Sequence, residues 1–254
     1  MPDALIDWLR DTCALYQVEP VAVYRPSPNR SWPLIAPDET SLQAELRAGG
    51  HFLPLPKEPA ALANVLEVSV VNFILEKLQA LEGATSARGT ERGYPDIEIS
   101  GEPFEGAHYA VDIKVARRNR SGTATQSRIS LYTGNTYFRY PQLRWPGTFR
   151  PFRDYKQHLD VIVLYTLDES LLSRARDVEL LVHEAWSVGS RQRSSTTREY
   201  IGAVTSLADL RNGRGEFETE VEFYSFWRKY PFKIGRAVQQ QLDRLLARQD
   251  DDAR

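Results

Sequence analysis

Two short segments of the chain carry residue types that can support metal and phosphate chemistry. The first, residues 93–99, holds Asp96 directly after a Tyr-Pro pair, and the second, residues 109–115, holds Asp112 and Lys114. The second segment alternates apolar and polar residues, which is the period of a half-buried strand. Its apolar residues therefore share one face of the strand, and Asp112 and Lys114 share the other.

The connection between these segments, residues 100–108, contains Gly and Pro and predicts the loop of a β-hairpin. Folding this hairpin brings Asp96 close to Asp112, with Lys114 one pleat further along the strand. Two converging carboxylates form an oxygen-rich site for Mg²⁺, an ion that keeps several waters and binds phosphate well. A nearby lysine can orient an attacking water, or take its proton if desolvation lowers the lysine pKa. The pattern predicts metal-assisted phosphodiester hydrolysis, whereas the plainer alternative is an ion pair on an exposed strand face.

Composition narrows the class of protein. The chain has 254 residues, of which 42% are apolar and 26% charged, as in ordinary soluble globular proteins. A single cysteine, Cys13, excludes an internal disulfide framework and a cysteine-rich zinc site. There is no nucleotide-binding glycine fingerprint, so we expect no nucleotide cofactor. With neither a signal peptide nor a membrane-length apolar run, we expect a cytoplasmic protein that does not contact membranes.

The net charge is only -2, but its distribution along the chain is uneven. Residues 114–156 contain ten Lys or Arg and one acid, which is a local charge of +9 directly after the predicted metal site. A basic tract beside acidic metal ligands suits a polyanion bound next to a catalytic cation. We therefore expect the arginines that follow the predicted strand to contact phosphates; they are Arg117, Arg118 and Arg120.

The remaining patterns predict an α/β (α+β) fold in which helices flank a central mixed β-sheet. Helical periodicity is present in residues 3–18, 60–81, 220–230 and 233–248. Strand patterns are present in residues 129–132, 160–166, 178–183 and 200–204. Polar loops are predicted at residues 83–93 and 189–198, and most aromatic side chains of the basic tract are expected in the core or a dimer interface rather than stacked on bases. No break in composition divides the chain, so residues 1–254 are expected to form one domain.

The Pro-Asp pair at residues 95–96, followed by Asp112-Ile113-Lys114, resembles the signature of the PD-(D/E)xK nucleases. The surrounding sequence is similar to the EcoRV family of type II restriction endonucleases within that superfamily. The similar segments run from Glu67 to Tyr230 and include residues 94–96, 110–114, 129–139 and 222–230. The resemblance implies the restriction-endonuclease-like fold. It also implies a homodimer that grips double-stranded DNA in a cleft and cuts both strands of a palindromic site with Mg²⁺, for which Mn²⁺ substitutes.

The resemblance also implies roles for particular residues. Asp96 and Asp112 are expected to bind the metal, Lys114 to position or activate water, and Glu67 to supply a further carboxylate, catalytic or metal-binding, near the site. Residues 1–60 are expected to include the dimerisation part, residues 61–230 the catalytic and DNA-binding core, and residues 231–254 a C-terminal helix and acidic tail.

Two loops are expected to contact DNA. One lies before the Pro-Asp pair, at residues 86–93, and contributes Arg88 and Arg92. In the family, a second loop rich in Gly and Asn reads the bases, but the corresponding insertion is missing here. Either this loop is shorter here, or its role has moved to residues 189–198. Arginines there could read bases, because arginine pairs bidentately with guanine. The arginines of that segment are Arg191, Arg193 and Arg198.

Two other functions fit parts of the same pattern. One is a PD-(D/E)xK nuclease for DNA repair or structured DNA, with little sequence specificity. The other is a catalytically silent DNA-binding module, in which the basic tract is used and the metal chemistry is not.

Overall fold

A computed structural model describes residues 4–18, 37–38, 40–41, 44, 59–90, 93–171 and 174–252. Arg92 and most of the expected dimerisation part, residues 1–60, lie outside the described residues.

A five-stranded mixed sheet forms the centre of the molecule, with strand order β1-β2-β3-β5-β6. Its strands are β1 (Ala84–Arg88), β2 (Ile97–Gly101), β3 (Tyr109–Arg117), β5 (Gln157–Leu167) and β6 (Ala175–Glu184). β2 and β3 form the expected antiparallel hairpin, whereas β3 and β5 run parallel. The predicted central mixed sheet is therefore confirmed. Its β2–β3 pairing places residues 93–99, which contain Asp96, beside residues 109–115, which contain Asp112.

Two helices cover one face of this sheet: α1 (Ala4–Ala14) and α2 (Pro59–Gln79). The apolar face of β3, including Val111 and Ile113, packs here with Leu9 of α1 and Ile74 of α2. β5 contributes Val161 and its apolar neighbours to the same cluster because alternate residues of a strand point to one face. None of the described helices has the length and apolar character needed to cross a lipid bilayer.

The opposite face carries a smaller sheet and the C-terminal helices. That sheet has the order β4-β8-β7 and consists of β4 (Ser130–Tyr132), β7 (Gly189–Arg193) and β8 (Ile201–Ala203). The helices are α3 (Thr136–Arg139), α4 (Leu207–Arg211), α5 (Glu220–Lys229) and α6 (Arg236–Asp252). Trp227, Phe138 and Phe152 lie buried between these layers. Phe138 and Phe152 belong to the basic tract, and for them the expected packing in the core is confirmed.

Two predicted loops are partly strands. Residues 84–88, inside the segment predicted as a loop, form edge strand β1, which pairs along its whole length with β2. Residues 189–193 likewise form β7 rather than a loop. Both strands are polar in sequence and pair with a neighbour on one side only, so no alternation of apolar residues reveals them.

Asn135 ties the turn after β4 to the end of α5. Its side chain is 1% exposed, and Nδ2 donates hydrogen bonds to the carbonyl oxygens of Trp227 at 2.8 Å and Tyr230 at 3.0 Å. Each of these carbonyls at the helix C-terminus also accepts one backbone N–H, from Tyr230 and Phe232 respectively, so removing the Asn135 donor costs two hydrogen bonds but leaves each carbonyl one partner.

We predict that Asn135→Ala lowers the free energy of unfolding by about 2 kcal/mol, since two buried hydrogen bonds are lost. Urea denaturation measures the change. Thr133→Ala, an exposed position in the same turn, is the matched control and should stay within about 0.5 kcal/mol of wild type. Equal stability of the two variants would contradict the structural role of Asn135.

Candidate active site

The carboxylates of Asp96 and Asp112 meet where the β2–β3 ladder ends. The backbone N–H of Asp96 donates to Oδ1 of Asp112 at 3.2 Å, and the backbone N–H of Ile113 donates to Oδ2 of Asp96 at 2.7 Å. Each aspartate thus accepts a hydrogen bond from the strand that carries the other. The structure brings the two predicted metal ligands together as the hairpin geometry requires.

Lys114 completes the arrangement from the same strand. Its Nζ donates to Oδ2 of Asp112 in a close ion pair, and both side chains are largely buried. Burial alone would lower the lysine pKa, but the carboxylates of Asp112, Asp160 and Asp96 outweigh it and raise that pKa above its ordinary value. The lysine therefore stays an ammonium in the metal-free protein.

The surroundings of Asp96 raise its pKa. Burial and the charge of Asp112 raise the pKa of Asp96 to about 7, against the opposing effects of Lys114 and the Ile113 N–H. An additional cation beside the two carboxylates would relieve this repulsion.

Glu67 approaches from α2 across a shared cleft. The cleft is lined by Glu67, Lys114, Arg117, Arg128 and other residues around the end of β3. Burial raises the pKa of Glu67, with the charge of Lys114 opposing the shift and that of Asp112 adding to it. The structure thus places Glu67 in electrostatic range of the two aspartates, while its role in binding metal stays a prediction.

Asp160 was not predicted as a site residue, although it lies beside Asp112. The two are register partners on the parallel strands β3 and β5, and Asp160 is 2% exposed. Burial first, and then the charges of Asp112 and Asp96, raise its pKa well above the ordinary value, whereas Lys114 opposes the shift. In the sequence, Asp160 stands at the beginning of an apolar run, as a residue at the end of a strand does. In the structure β5 begins earlier, at Gln157, so Asp160 is a charged residue inside a buried strand, and that unusual position is the only signal of a function.

These donors fit a Mg²⁺ ion, although they do not form a closed metal cage. No group of three or more His, Cys, Asp or Glu side chains in the described part of the chain is arranged to hold a metal. Mg²⁺ is commonly bound by one or two carboxylates and keeps several waters, so Asp96 and Asp112 suffice in number. Burial and the charge of Asp112 both disfavour an ionised Asp96 in the absence of a cation, and a divalent ion beside the two carboxylates would offset both effects.

An aromatic cluster anchors the start of β2. The hydroxyl of Tyr94 lies 2.7 Å from Nδ1 of His158, and Nε2 of His158 lies 3.1 Å from the carbonyl oxygen of Phe152. A carbonyl can only accept, so Nε2 donates and Nδ1 accepts from the tyrosine. Burial lowers the pKa of His158 to about 3, which keeps the ring neutral. His158 is thus a structural residue that fixes the backbone leading into Asp96.

Several arginines predicted to contact DNA are bound to the protein itself. Arg118 pairs with Glu179 at 2.7 Å, and its side chain is 9% exposed. Arg191 pairs with Glu222 and lies 4.6 Å from the centre of the Phe217 ring. These ion pairs compete with the predicted contacts between Arg118 or Arg191 and DNA, and those contacts stay a prediction.

The other predicted arginines differ in the charge of their partners. Arg193 forms an ion pair with Glu199 at 3.1 Å, within the same loop. Arg198 donates to the hydroxyl of Tyr200 at 2.9 Å, and Arg88 donates to Oδ1 of Asn72 at 2.8 Å. These two side chains lie in exposed positions, where a neutral partner leaves their charge available.

In the folded protein, carboxylates pair with half of the basic residues in the tract of residues 114–156. Five of its ten basic residues form ion pairs with carboxylates, and they are Lys114, Arg118, Arg150, Arg153 and Lys156. Arg117, which lines the cleft, and Arg120, which is exposed, form no ion pair with any residue that the structure describes. The same holds for the other three basic residues of the tract, Arg128, Arg139 and Arg144. The free charge of the tract is therefore about half of what the sequence indicates.

A mixed five-stranded sheet flanked by helices, with two aspartates and a lysine at its central hairpin, is the restriction-endonuclease-like fold. Residues 29–247 match the family model for restriction endonuclease EcoRV, so the chain belongs to the EcoRV family of restriction endonucleases. It is 21% identical to the type II restriction enzyme EcoRV of Escherichia coli over 204 residues, which cover 73% of this chain and 80% of that relative. The resemblance inferred from the sequence is confirmed.

The pKa of Asp96 predicts a pH-dependent stability in the absence of divalent ions. The folded-state pKa of about 7 lies above that of the unfolded chain, so the contribution of Asp96 is fully present below about pH 4 and is lost as the pH rises through 7. The free energy of unfolding of wild type minus that of Asp96→Asn should therefore fall between pH 4 and 8, measured by urea denaturation in a chelator.

Asp168→Asn serves as the control for this experiment. Hydrogen bonds from Ser170 lower the pKa of Asp168, so its contribution changes only below about pH 4 and the same difference should be flat from pH 4 to 8. A wild-type minus Asp96→Asn difference that rises with pH would show that Asp96 is not crowded by negative charge.

Proposed function

We propose that this chain is a Mg²⁺-dependent type II restriction endonuclease. It hydrolyses phosphodiester bonds in both strands of a specific palindromic duplex DNA site. The observation that carries the proposal is the convergence of Asp96 and Asp112 with the ammonium of Lys114 on one hairpin. Membership of the EcoRV family supports the same reaction class.

The proposed roles follow from the positions of the side chains. Bound Mg²⁺ supplies Lewis-acid polarisation of the phosphate and a more acidic water. Asp96 and Asp112 hold the ion through carboxylate oxygens, and Glu67 adds negative charge from the α2 side of the cleft. Lys114 acts as a charged donor that orients water or a phosphate oxygen, because its raised pKa disfavours a role as proton acceptor.

The proposed substrate and assembly rest on charge and symmetry. Arg117 lines the same cleft as Lys114, where a phosphate backbone entering the cleft would pass, and Arg120 adds positive charge in the segment that follows β3. A palindromic site has two-fold symmetry, and a homodimer with two-fold symmetry places one such cleft on each strand. We therefore propose a homodimer, with the expected dimerisation part in residues 1–60.

Digestion of duplex DNA of many sequences with Mg²⁺ tests the proposal. The wild-type protein should give discrete fragments, while Asp112→Asn and Lys114→Ala should each reduce cleavage at least about 1,000-fold because they remove a metal ligand and a charged donor. Asp154→Asn and Lys156→Ala are matched controls at partly exposed ion pairs and should cut like wild type. A Lys114→Ala variant as active as wild type would contradict the assignment.

One observation favours a second candidate, a nuclease with little sequence specificity. Arg191 and Arg193 are two of the three arginines in residues 189–198, the alternative location for the role of the family's base-reading loop, and both are ion-paired. The same digestion separates the two functions, since a low-specificity nuclease gives a smear instead of bands. A protein that binds DNA but, in calorimetry, binds neither Mn²⁺ nor Mg²⁺ would instead be the catalytically silent module.

Adjacent arginines allow a test of phosphate contact. In the cleavage-deficient Asp112→Asn background, Arg117→Gln should weaken DNA binding uniformly across sequences and reduce the slope of log affinity against log salt by about 1. Arg118→Gln should leave that slope unchanged and lower the free energy of unfolding, because Arg118 is paired with Glu179. Fluorescence anisotropy at several salt concentrations measures the slopes, and equal slopes for both variants would contradict this division.

A further inference from the structure

The carboxylate of Asp160 is buried without a complete set of partners. Its side chain is 2% exposed, and Oδ2 accepts no hydrogen bond within the described part of the chain. An unpartnered buried carboxylate oxygen is costly, since neither water nor a protein donor replaces its hydration. Such a group persists where another requirement of the protein maintains it.

The position of Asp160 points to that requirement. Asp160 lies in register with Asp112 on the neighbouring parallel strand, so their backbones are about 4.8 Å apart. Leu159 and Val161, on either side of it, belong to the cluster under α1 and α2, whereas Ile162 belongs to the cluster on the opposite face. Asp160 therefore shares the face of the sheet that carries Asp112 and Lys114.

The ammonium of Lys114 occupies an oxygen that the proposed metal site needs. Nζ is hydrogen-bonded to Oδ2 of Asp112, while the other oxygen of Asp112 accepts from the N–H of Asp96. A divalent cation at Asp112 repels an adjacent ammonium, so the ammonium requires another acceptor of negative charge nearby. The free oxygen of Asp160 is such an acceptor on the same face.

We propose that Asp160 is a positioning residue for Lys114: its free carboxylate oxygen receives the ammonium when a divalent cation binds at Asp112. This inference rests on the proposed function, because it concerns the same metal site. It assigns to Asp160 a role different from that of a third ligand. In keeping with this, Asp160 does not join Asp96 and Asp112 in a metal-holding group of described residues.

A double-mutant cycle on Mn²⁺ binding to the full-length protein tests the proposal without DNA. Calorimetry would compare wild type, Asp160→Asn, Lys114→Met and the double variant. Asp160→Asn should weaken Mn²⁺ binding at least about tenfold, because the ammonium then has no alternative acceptor that carries negative charge. Lys114→Met and the double variant should agree within about twofold, because no ammonium remains to be moved.

Other outcomes overturn the inference. An equal loss of affinity on Asp160→Asn in both backgrounds identifies Asp160 as a direct ligand or a general source of negative potential. No loss in either background leaves it without a role in metal binding. A wild-type protein that binds no Mn²⁺ removes the metal from the proposed function itself, which distinguishes that failure from an uncoupled cycle in a metal-binding protein.

A second substitution at the same position is available if the first variant does not fold. If thermal unfolding shows that Asp160→Asn is poorly folded, Asp160→Val carries the same cycle, since valine suits a buried strand flanked by Leu159 and Val161. It removes the negative charge as Asp160→Asn does, and the acceptor oxygens as well, so the same expected and contrary outcomes apply to it.

Discussion

The site depends on one buried ammonium that balances several carboxylates. Asp96, Asp112 and Asp160 lie together around the central sheet, on a face whose other neighbours are largely apolar. Lys114 forms an ion pair with Asp112, and its charge also acts on Asp96 and Asp160. Burying a charge without a partner is strongly unfavourable, so the lysine and the aspartates stabilise one another. One ammonium does not offset the cost of ionising every carboxyl group there: burial and the charge of Asp112 raise the pKa of Asp96, and a divalent ion would lower it.

Acids that are distant in sequence neutralise much of the basic tract. Glu98 receives two hydrogen bonds of 2.7 Å from Arg150, 52 positions away, and Glu179 binds both Arg118 and Arg211. These pairs tie loops and strands to the central sheet. Basic residues in such a chain thus divide into those that stabilise the fold and those left to meet a polyanion, and only the folded arrangement distinguishes them.

Local patterns predicted the hairpin well, because alternation in β3 and the Gly- and Pro-containing connection are properties of neighbouring residues. They could not reveal Asp160, because its relation to Asp112 arises from parallel pairing of strands separated by a long connection. The same limit explains the arginines: the partners of Arg118 and Arg191 lie 61 and 31 positions away. β1 was missed for a different reason, since a short polar edge strand carries little apolar signal.

The hydrogen bonds that join Asp96 and Asp112 across the open end of the hairpin give the two acids a duty in folding as well as in chemistry. Each satisfies a main-chain amide of the opposite strand, at 3.2 Å and 2.7 Å. A descendant of this protein that abandoned DNA cleavage would still be under pressure to retain both acids. Within the described part of the chain, the ammonium of Lys114 makes no such main-chain contact. Its loss would therefore be the earlier and more informative sign that cleavage had been abandoned.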